Sequence, residues 1–207
     1  MKPIIFSTDM VRAILGGYKT QTRRIVKPQP DWPEETNRTN IVGGIVFPIG
    51  SFGQQCGYPV TRIPYQIGDI LWVRETWQHS CRAPGIDICY RADGEPESCD
   101  AYYVDNHWCK WKPAIHMSKE AARIFLQVTG VRVERLQDIT AQDAEREGFK
   151  FVYAYGLDSV AMTAYEAFAH YWNCINAKRD EGAYAYEKNP WVWVYTFERC
   201  EKPEVTE

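Results

Sequence analysis

The chain has 207 residues, 45% of them hydrophobic and 25% charged, an ordinary composition for a globular protein long enough to bury its own core. Its formal net charge of −3 does not favour wholesale electrostatic binding to long duplex nucleic acid, so any contact with nucleic acid would have to be local. No apolar run approaches the roughly 20 residues of a membrane span, and Asp9 and Arg12 interrupt the segment where a signal peptide would be apolar. We therefore expect a cytoplasmic protein without a membrane partner.

The N-terminal elements are a short strand, IIF, and a helix, MVRAIL. Ser7, Thr8 or Asp9 can cap the start of this helix, and Gly16 and Gly17 supply its end. The segment that follows, KTQTRRIV, is polar and extended, and a pair of prolines ends it. The pattern therefore predicts strand, helix and strand in this order.

The remaining elements mix strands and helices without regular alternation. A turn at Gly68 precedes a strand that places Leu71 and Val73 on one face. Thr140 begins a short helix that ends at Gly148. The others are a long strand (123–136), an amphipathic helix (159–177) and a closing strand that is apolar on both faces (189–199). This order predicts an α+β domain built on a small barrel or a strongly bent sheet.

The sequence contains seven cysteines, an odd number spread along the chain, which favours reduced thiols over a disulfide framework. No pair has the spacing with which one turn presents two thiolates to zinc, so we predict no metal and no other cofactor. The residues weighed for a metal site are Cys81, Cys89, Cys99, Cys109, His79 and His107.

A basic stretch, GGYKTQTRRIVKPQP, stands out in this slightly acidic chain. Two guanidinium groups near Lys19, together with partial burial, would disfavour its protonated form, so that Lys19 could act as a base. Thr20 and Thr22 carry hydroxyl groups that such a base could activate. The alternative is a polar, solvent-exposed strand with no chemical role.

Several segments resemble the ASCH family, a group of PUA-like β-barrels related to RNA-binding domains. GGYKTQTRR matches the family's Gly, Lys, Thr and Arg signature, IGDILWVRE its Gly-Asp turn and barrel strand, and VTGVRVERLQDITAQDAEREGF its strand and short helix. The closing NPWVWVYTFERC corresponds to its last strand, and KWKPAIHMSKEAARIFL is similar to phage and prophage members. The matches cover about half of the chain. The resemblance implies one domain over residues 1–207, a PUA-like barrel with flanking helices and enlargements near 31–64, 81–111 and 153–189.

The smallest members that this pattern resembles are amidohydrolases that remove the acetyl group of N4-acetylcytidine. By motif, their catalytic residues fall on Lys19, Thr22 and Glu147. The resemblance thus implies Lys19 as base, Thr22 as nucleophile or water-positioner and Glu147 as proton donor. Taken from the helix alone, Glu147 is a solvated residue at a C-terminus, where its charge opposes the helix dipole.

Four further residues are candidates for contacting the substrate. Arg24 matches the family arginine and could hold an oxyanion or a phosphate. Arg23 replaces an apolar residue of the minimal enzymes, which leaves the size and charge of the substrate open. Trp77 could stack on a base and Glu75 could accept from an exocyclic amine, although ordinary packing explains Trp77 equally well.

The expected function is hydrolysis of an amide on a modified nucleoside or nucleotide. One alternative is a PUA-like module that binds RNA or modified nucleic acid without catalysis, and another is a ribonuclease.

Lys19 and Thr22 fall on opposite faces of a regular strand. The enzymatic interpretation therefore predicts an irregularity at residues 19–21, with the Lys19 amine and the Thr22 hydroxyl within ~5 Å and Glu147 facing the same cavity.

Overall fold

The computed structural model describes residues 1–33, 36, 38–42, 45–50, 52–55, 57, 63–79, 88–94, 110–149, 152–153 and 161–203. The chain divides into two compact units. The first unit consists of Met1–Gly17, Asp69–Gln127 and Glu198–Glu207, and the second of Tyr18–Gly68 and Val128–Phe197.

The described residues form eleven strands and three α-helices, joined by turns and short 3₁₀ segments. The helices are α1 (Thr8–Leu15), α2 (Ala141–Arg146) and α3 (Ala164–Asn176). The strands are β1 (Lys2–Ile5), β2 (Gln21–Ile25), β3 (Arg38–Val42), β4 (Ile45–Ile49), β5 (Ile70–Arg74), β6 (Trp77–His79), β7 (Ile88–Tyr90), β8 (Phe125–Arg135), β9 (Val152–Tyr153), β10 (Ala161–Met162) and β11 (Trp191–Cys200).

The first unit is built on β1, β5 and the start of β8. Strand β1 runs parallel to β5, and β5 pairs antiparallel with β8, Leu71 opposite Leu126. Leu71 and Val73 are buried on one face of β5, as the sequence predicts. Helix α1 begins where the Ser7 side chain accepts a hydrogen bond from the Met10 amide, which satisfies one of the free donors of its first turn.

The second unit pairs β2 with β11. The two strands are antiparallel, with Thr22 opposite Tyr195, and β11 is buried along most of its length as its apolar sequence predicts. An isolated glycine in a strand sequence predicts a bulge or a bend, but strand β8 continues without a break through Gly130. A Cβ atom on Gly130 would lie 3.4 Å from the Thr196 side chain, so the glycine allows close packing there.

Helices α2 and α3 of the second unit both have side-chain caps at their first turn, and the sequence predicts the cap of α2. The Thr140 hydroxyl accepts from the Asp143 amide at the start of α2, and Gly148 follows this helix with a positive φ of 100°. Thr163 and Glu166 form a reciprocal capping box at the start of α3. The apolar face of α3 buries Phe168 and Trp172.

The sheet has five strands in the order β1-β5-β8-β11-β2, and three two-stranded sheets pair β3 with β4, β6 with β7 and β9 with β10. The chain is therefore α+β, as predicted, and the described strands do not form a closed barrel. The predicted segment 31–64 contains the β3–β4 pair, whereas most of 81–111, including Cys81, Cys99, Cys109 and His107, lies outside the described residues. No helix in the described part of the chain is long and apolar enough to cross a membrane.

Candidate functional site

The segment before β2 carries the first residue of the candidate site. Regular strand structure begins at Gln21, so Lys19 and Thr20 lie before β2, although the sequence predicted an extended segment from Lys19 onward. The distance of ~5 Å between the Lys19 amine and the Thr22 hydroxyl stays a prediction. The Thr20 amide donates to the Arg146 carbonyl at 2.8 Å, and the Phe197 amide donates to the Thr20 carbonyl at 2.9 Å. These two bonds fix the segment between the end of α2 and strand β11.

Lys19 is buried, with 3% of its surface exposed. Its Nζ donates to Glu147 Oε2 at 2.9 Å, to the Glu147 carbonyl at 2.6 Å and to the Gln21 carbonyl at 2.9 Å. Burial lowers the pKa of Lys19 from its usual value, and this effect outweighs the opposing attraction of the Glu147 carboxylate. The lowered pKa increases the fraction of Lys19 that is a neutral amine, the form that a general base requires.

Glu147 is the C-cap residue of α2 and is 4% exposed. Its Oε1 accepts from Arg23 Nη1 at 3.1 Å, and its Oε2 accepts from Lys19. The interpretation of Glu147 as a solvated residue is therefore wrong, because the tertiary fold buries it between two cations. These cations offset the unfavourable position of a carboxylate at the negative end of a helix.

Arg23 links Glu147 to two further carboxylates, and its side chain is fully buried. Its Nε and Nη2 both donate to Glu134 Oε1, at 3.1 and 2.6 Å. Its Nη1 also donates to Gln21 Oε1, and its Nη2 lies 3.4 Å from Asp143 Oδ2. A substrate could reach the Arg23 guanidinium only by displacing one of these groups.

Arg132 completes this arrangement. Its Nε donates to Glu134 Oε2 at 2.7 Å and its Nη2 to Asp143 Oδ2 at 3.2 Å. Burial acts to raise the pKa of Asp143, but the charges of Arg132 and Arg23 hold it below its usual value. We call the six side chains the ion network, which has three cations and three anions: Lys19, Arg23, Arg132, Glu134, Asp143 and Glu147.

The other face of β2 carries Thr22 and Arg24. Strand alternation separates them from Gln21 and Arg23, and Thr22 lies opposite Tyr195 in the pairing of β2 with β11. Burial lowers the pKa of Arg24, against the opposing effects of Tyr65 and Glu147, although a guanidinium stays charged at neutral pH. The structure thus brings Lys19 and Glu147 together with Arg23. Thr22 is buried and lies on the same face of the sheet as Tyr195.

Glu75 and Trp77 belong to the first unit. Arg123 holds Glu75 with two parallel bonds, Nε to Oε1 at 3.0 Å and Nη2 to Oε2 at 3.1 Å. Burial raises the pKa of Glu75, with Arg123 acting against it. Trp77 is buried in an apolar cluster with Met117 and Phe125. In this unit Trp77 contributes to packing, and the substrate contacts expected of both residues stay predictions.

Glu134, Asp143 and Arg132 were not predicted from the sequence as site residues. For two of these residues the sequence contains a signal, the alternation of apolar and charged residues in VRVE. This alternation places Arg132 and Glu134 on one face of β8. No group of three His, Cys, Asp or Glu side chains in the described ranges could hold a metal ion. The three carboxylates of the ion network are bound to Lys and Arg instead.

Comparison of the chain with protein-family models, with curated proteins and with solved structures gives no match in any of the three. Function is therefore inferred from the Lys19–Glu147 pair and the residues around it.

Proposed function

We propose that the chain is a hydrolase that cleaves the amide of an acylated nucleoside or nucleotide of the acetylcytidine type, on a PUA-like fold of the ASCH kind. The observation that carries this proposal is the buried Lys19–Glu147 pair, in which the pKa of Lys19 is lowered by burial. The GGYKTQTRR signature, which resembles the family's catalytic motif, supplies the reaction class.

The Lys19–Glu147 pair can hold one proton in two arrangements. Transfer of a proton over the 2.9 Å between Lys19 Nζ and Glu147 Oε2 converts ammonium and carboxylate into amine and carboxylic acid. Burial lowers the pKa of Lys19 and so favours its neutral amine form. The pair would thus supply both a base and an acid for one reaction cycle.

Amide hydrolysis would use these groups in sequence. The Lys19 amine takes a proton from the Thr22 hydroxyl or from a water that Thr22 positions, and the oxygen attacks the acyl carbon. The Arg24 guanidinium stabilises the oxyanion. Glu147 gives its proton to the departing amine as the carbon–nitrogen bond breaks, and the acid is released directly or, from an acyl-threonine, after attack by water.

The test is turnover of acetylcytidine and a panel of acylated nucleosides, followed by chromatography. Lys19→Ala is expected to lower kcat by about 10²–10⁴-fold, the usual contribution of a general base. Lys178→Ala, at an exposed lysine of the second unit, is the matched control and should retain full activity. Circular dichroism checks that both variants are folded. Absence of turnover across the panel, or turnover unaffected by Lys19→Ala, would refute the proposal.

A binding module without catalysis is the second candidate. Thr22 lies on the face of β2 opposite to Arg23, and Arg23 contacts Glu147. This arrangement favours the binding module, because the expected nucleophile and proton donor would then be on different faces of the strand. Its test is a fluorescence titration with single-stranded RNA and duplex DNA at two salt concentrations. Binding that weakens with salt, without turnover of any acylated nucleoside, would make it the preferred function.

A further inference from the structure

A cavity of about 410 Å³ lies in the second unit, outside the proposed catalytic residues. Lys19, Thr22 and Glu147 are not among the residues that line it. Its volume falls within the range of about 300–1,000 Å³ that is common for small-molecule sites. The residues that matter for its chemistry are Ile41, Ile63, Ile67, Asn40, Gln66 and Arg132.

The apolar part of this cavity is formed by isoleucines. Ile41 and Ile63 are half-buried, whereas Ile67 is 68% exposed. A large aliphatic side chain with this exposure gains free energy when an apolar surface covers it. Isolated exposed isoleucines are common on proteins, but Ile67 lies at a cavity that contains two other isoleucines. The three isoleucine side chains can pack against the apolar face of a flat or compact ligand.

The polar part of the cavity contains one guanidinium. Arg132 uses Nε for Glu134 and Nη2 for Asp143. Its Nη1 makes no hydrogen bond with any residue in the described part of the chain, and the side chain is 40% exposed. Arg132 can therefore donate to a ligand without giving up either carboxylate.

The charge of the ion network decides which acceptor suits Arg132. Its three cations are balanced by three anions, and two of the anions, Glu134 and Asp143, contact the Arg132 guanidinium directly. A phosphate or carboxylate at Nη1 would be repelled by both. A neutral carbonyl oxygen accepts the same hydrogen bond without this repulsion.

We propose that this cavity binds a small neutral planar ligand in which a ring carbonyl stands beside an N–H, as in a cyclic imide. The carbonyl accepts from Arg132 Nη1, the ligand N–H donates to an oxygen of Asn40, and the ring packs on Ile41 and Ile67. The inference stands apart from the proposed hydrolase activity, because the two sites share no residue that contacts a ligand.

The test uses the full chain labelled with ¹⁵N and uracil as the cyclic imide, followed by NMR. At millimolar uracil we expect amide shift changes confined to the cavity, at Thr39, Ile67 and Val131. Arg132→Ala should weaken binding by about tenfold or more, the effect of losing one hydrogen bond from a charged donor. Ile67→Asp should weaken it comparably, and Ile115→Asp, the same change at an exposed isoleucine of the first unit, should leave it unchanged.

Several results would overturn the proposal. Shift changes with inorganic phosphate but not with uracil would show an anion site. Equal binding of cyclohexanol and uracil, without an effect of Arg132→Ala, would show an apolar groove without carbonyl recognition. No shift changes with uracil, or changes that survive Ile67→Asp, would remove the site altogether. Loss of uracil binding in Lys19→Ala would show that the two sites are one.

Discussion

Replacement of Arg23 by methionine tests the ion network most directly. The substitution keeps an apolar chain in the same space but removes the buried guanidinium that contacts Glu134, Asp143 and Glu147. Lys19 and Arg132 then remain against three carboxylates, so the ion network carries a net charge of −1. Breaking a buried ion pair in this way costs about 3–5 kcal/mol. We therefore expect Arg23→Met to lower the free energy of unfolding by that amount at neutral pH, measured by urea denaturation with tryptophan fluorescence.

Two further variants make this prediction specific. Lys2→Met removes the same charge from the partly exposed Lys2–Asp69 pair and should cost about 1 kcal/mol or less. Adding Glu134→Gln to Arg23→Met restores charge balance, because Lys19 keeps Glu147 and Arg132 keeps Asp143. This double variant should be clearly more stable than Arg23→Met alone. If Arg23→Met costs no more than Lys2→Met, or if Glu134→Gln destabilises it further, the charge argument is wrong.

Three other predictions concern single residues. The pKa of Asp143 lies below its usual value of 3.8 in the folded protein. The ionised carboxylate therefore stabilises the fold fully above pH 3.8, and this stabilisation is lost as the pH falls towards the folded pKa. Asp143→Asn should reduce the loss of stability in acid titrations followed by circular dichroism. Thr163→Ala removes one half of the capping box with Glu166 and should lower thermal stability by about 1 kcal/mol. Trp77→Ala should cost about 3–5 kcal/mol in urea denaturation because it opens a cavity in the apolar cluster of the first unit; an unchanged midpoint would instead favour a role in binding alone.

Local sequence signals predicted most of the secondary structure. Ser7 and Thr140 begin helices because their side chains accept from amides of the first turn, which involves residues only three positions away. The alternation of Leu71 and Val73 likewise identified the buried face of β5. These signals are short-range and need no knowledge of the rest of the chain.

Long-range pairing was not predictable in the same way. The order β1-β5-β8-β11-β2 joins strands that are distant in sequence. Strand β1 pairs with β5, in parallel, and not with β2, the next strand in the chain. At Gly130 the sequence suggested a bulge, but the structure shows that a small residue is needed there because the Thr196 side chain of another strand packs closely against it. Such contacts depend on which strands become neighbours, and local patterns do not encode that choice.

For the candidate site as well, the sequence predicted local positions, and the tertiary structure determined which residues are in contact. The sequence by itself placed Lys19 at the start of an extended segment and Glu147 at the end of a helix, since caps and breakers fix both positions. Only the tertiary structure decided that they form a buried pair and that Arg23 contacts Glu134 and Glu147, 111 and 124 residues away. A charged side chain is buried only where partners of opposite charge converge on it. That convergence is a property of the folded chain, and no local pattern around Arg23 contains it.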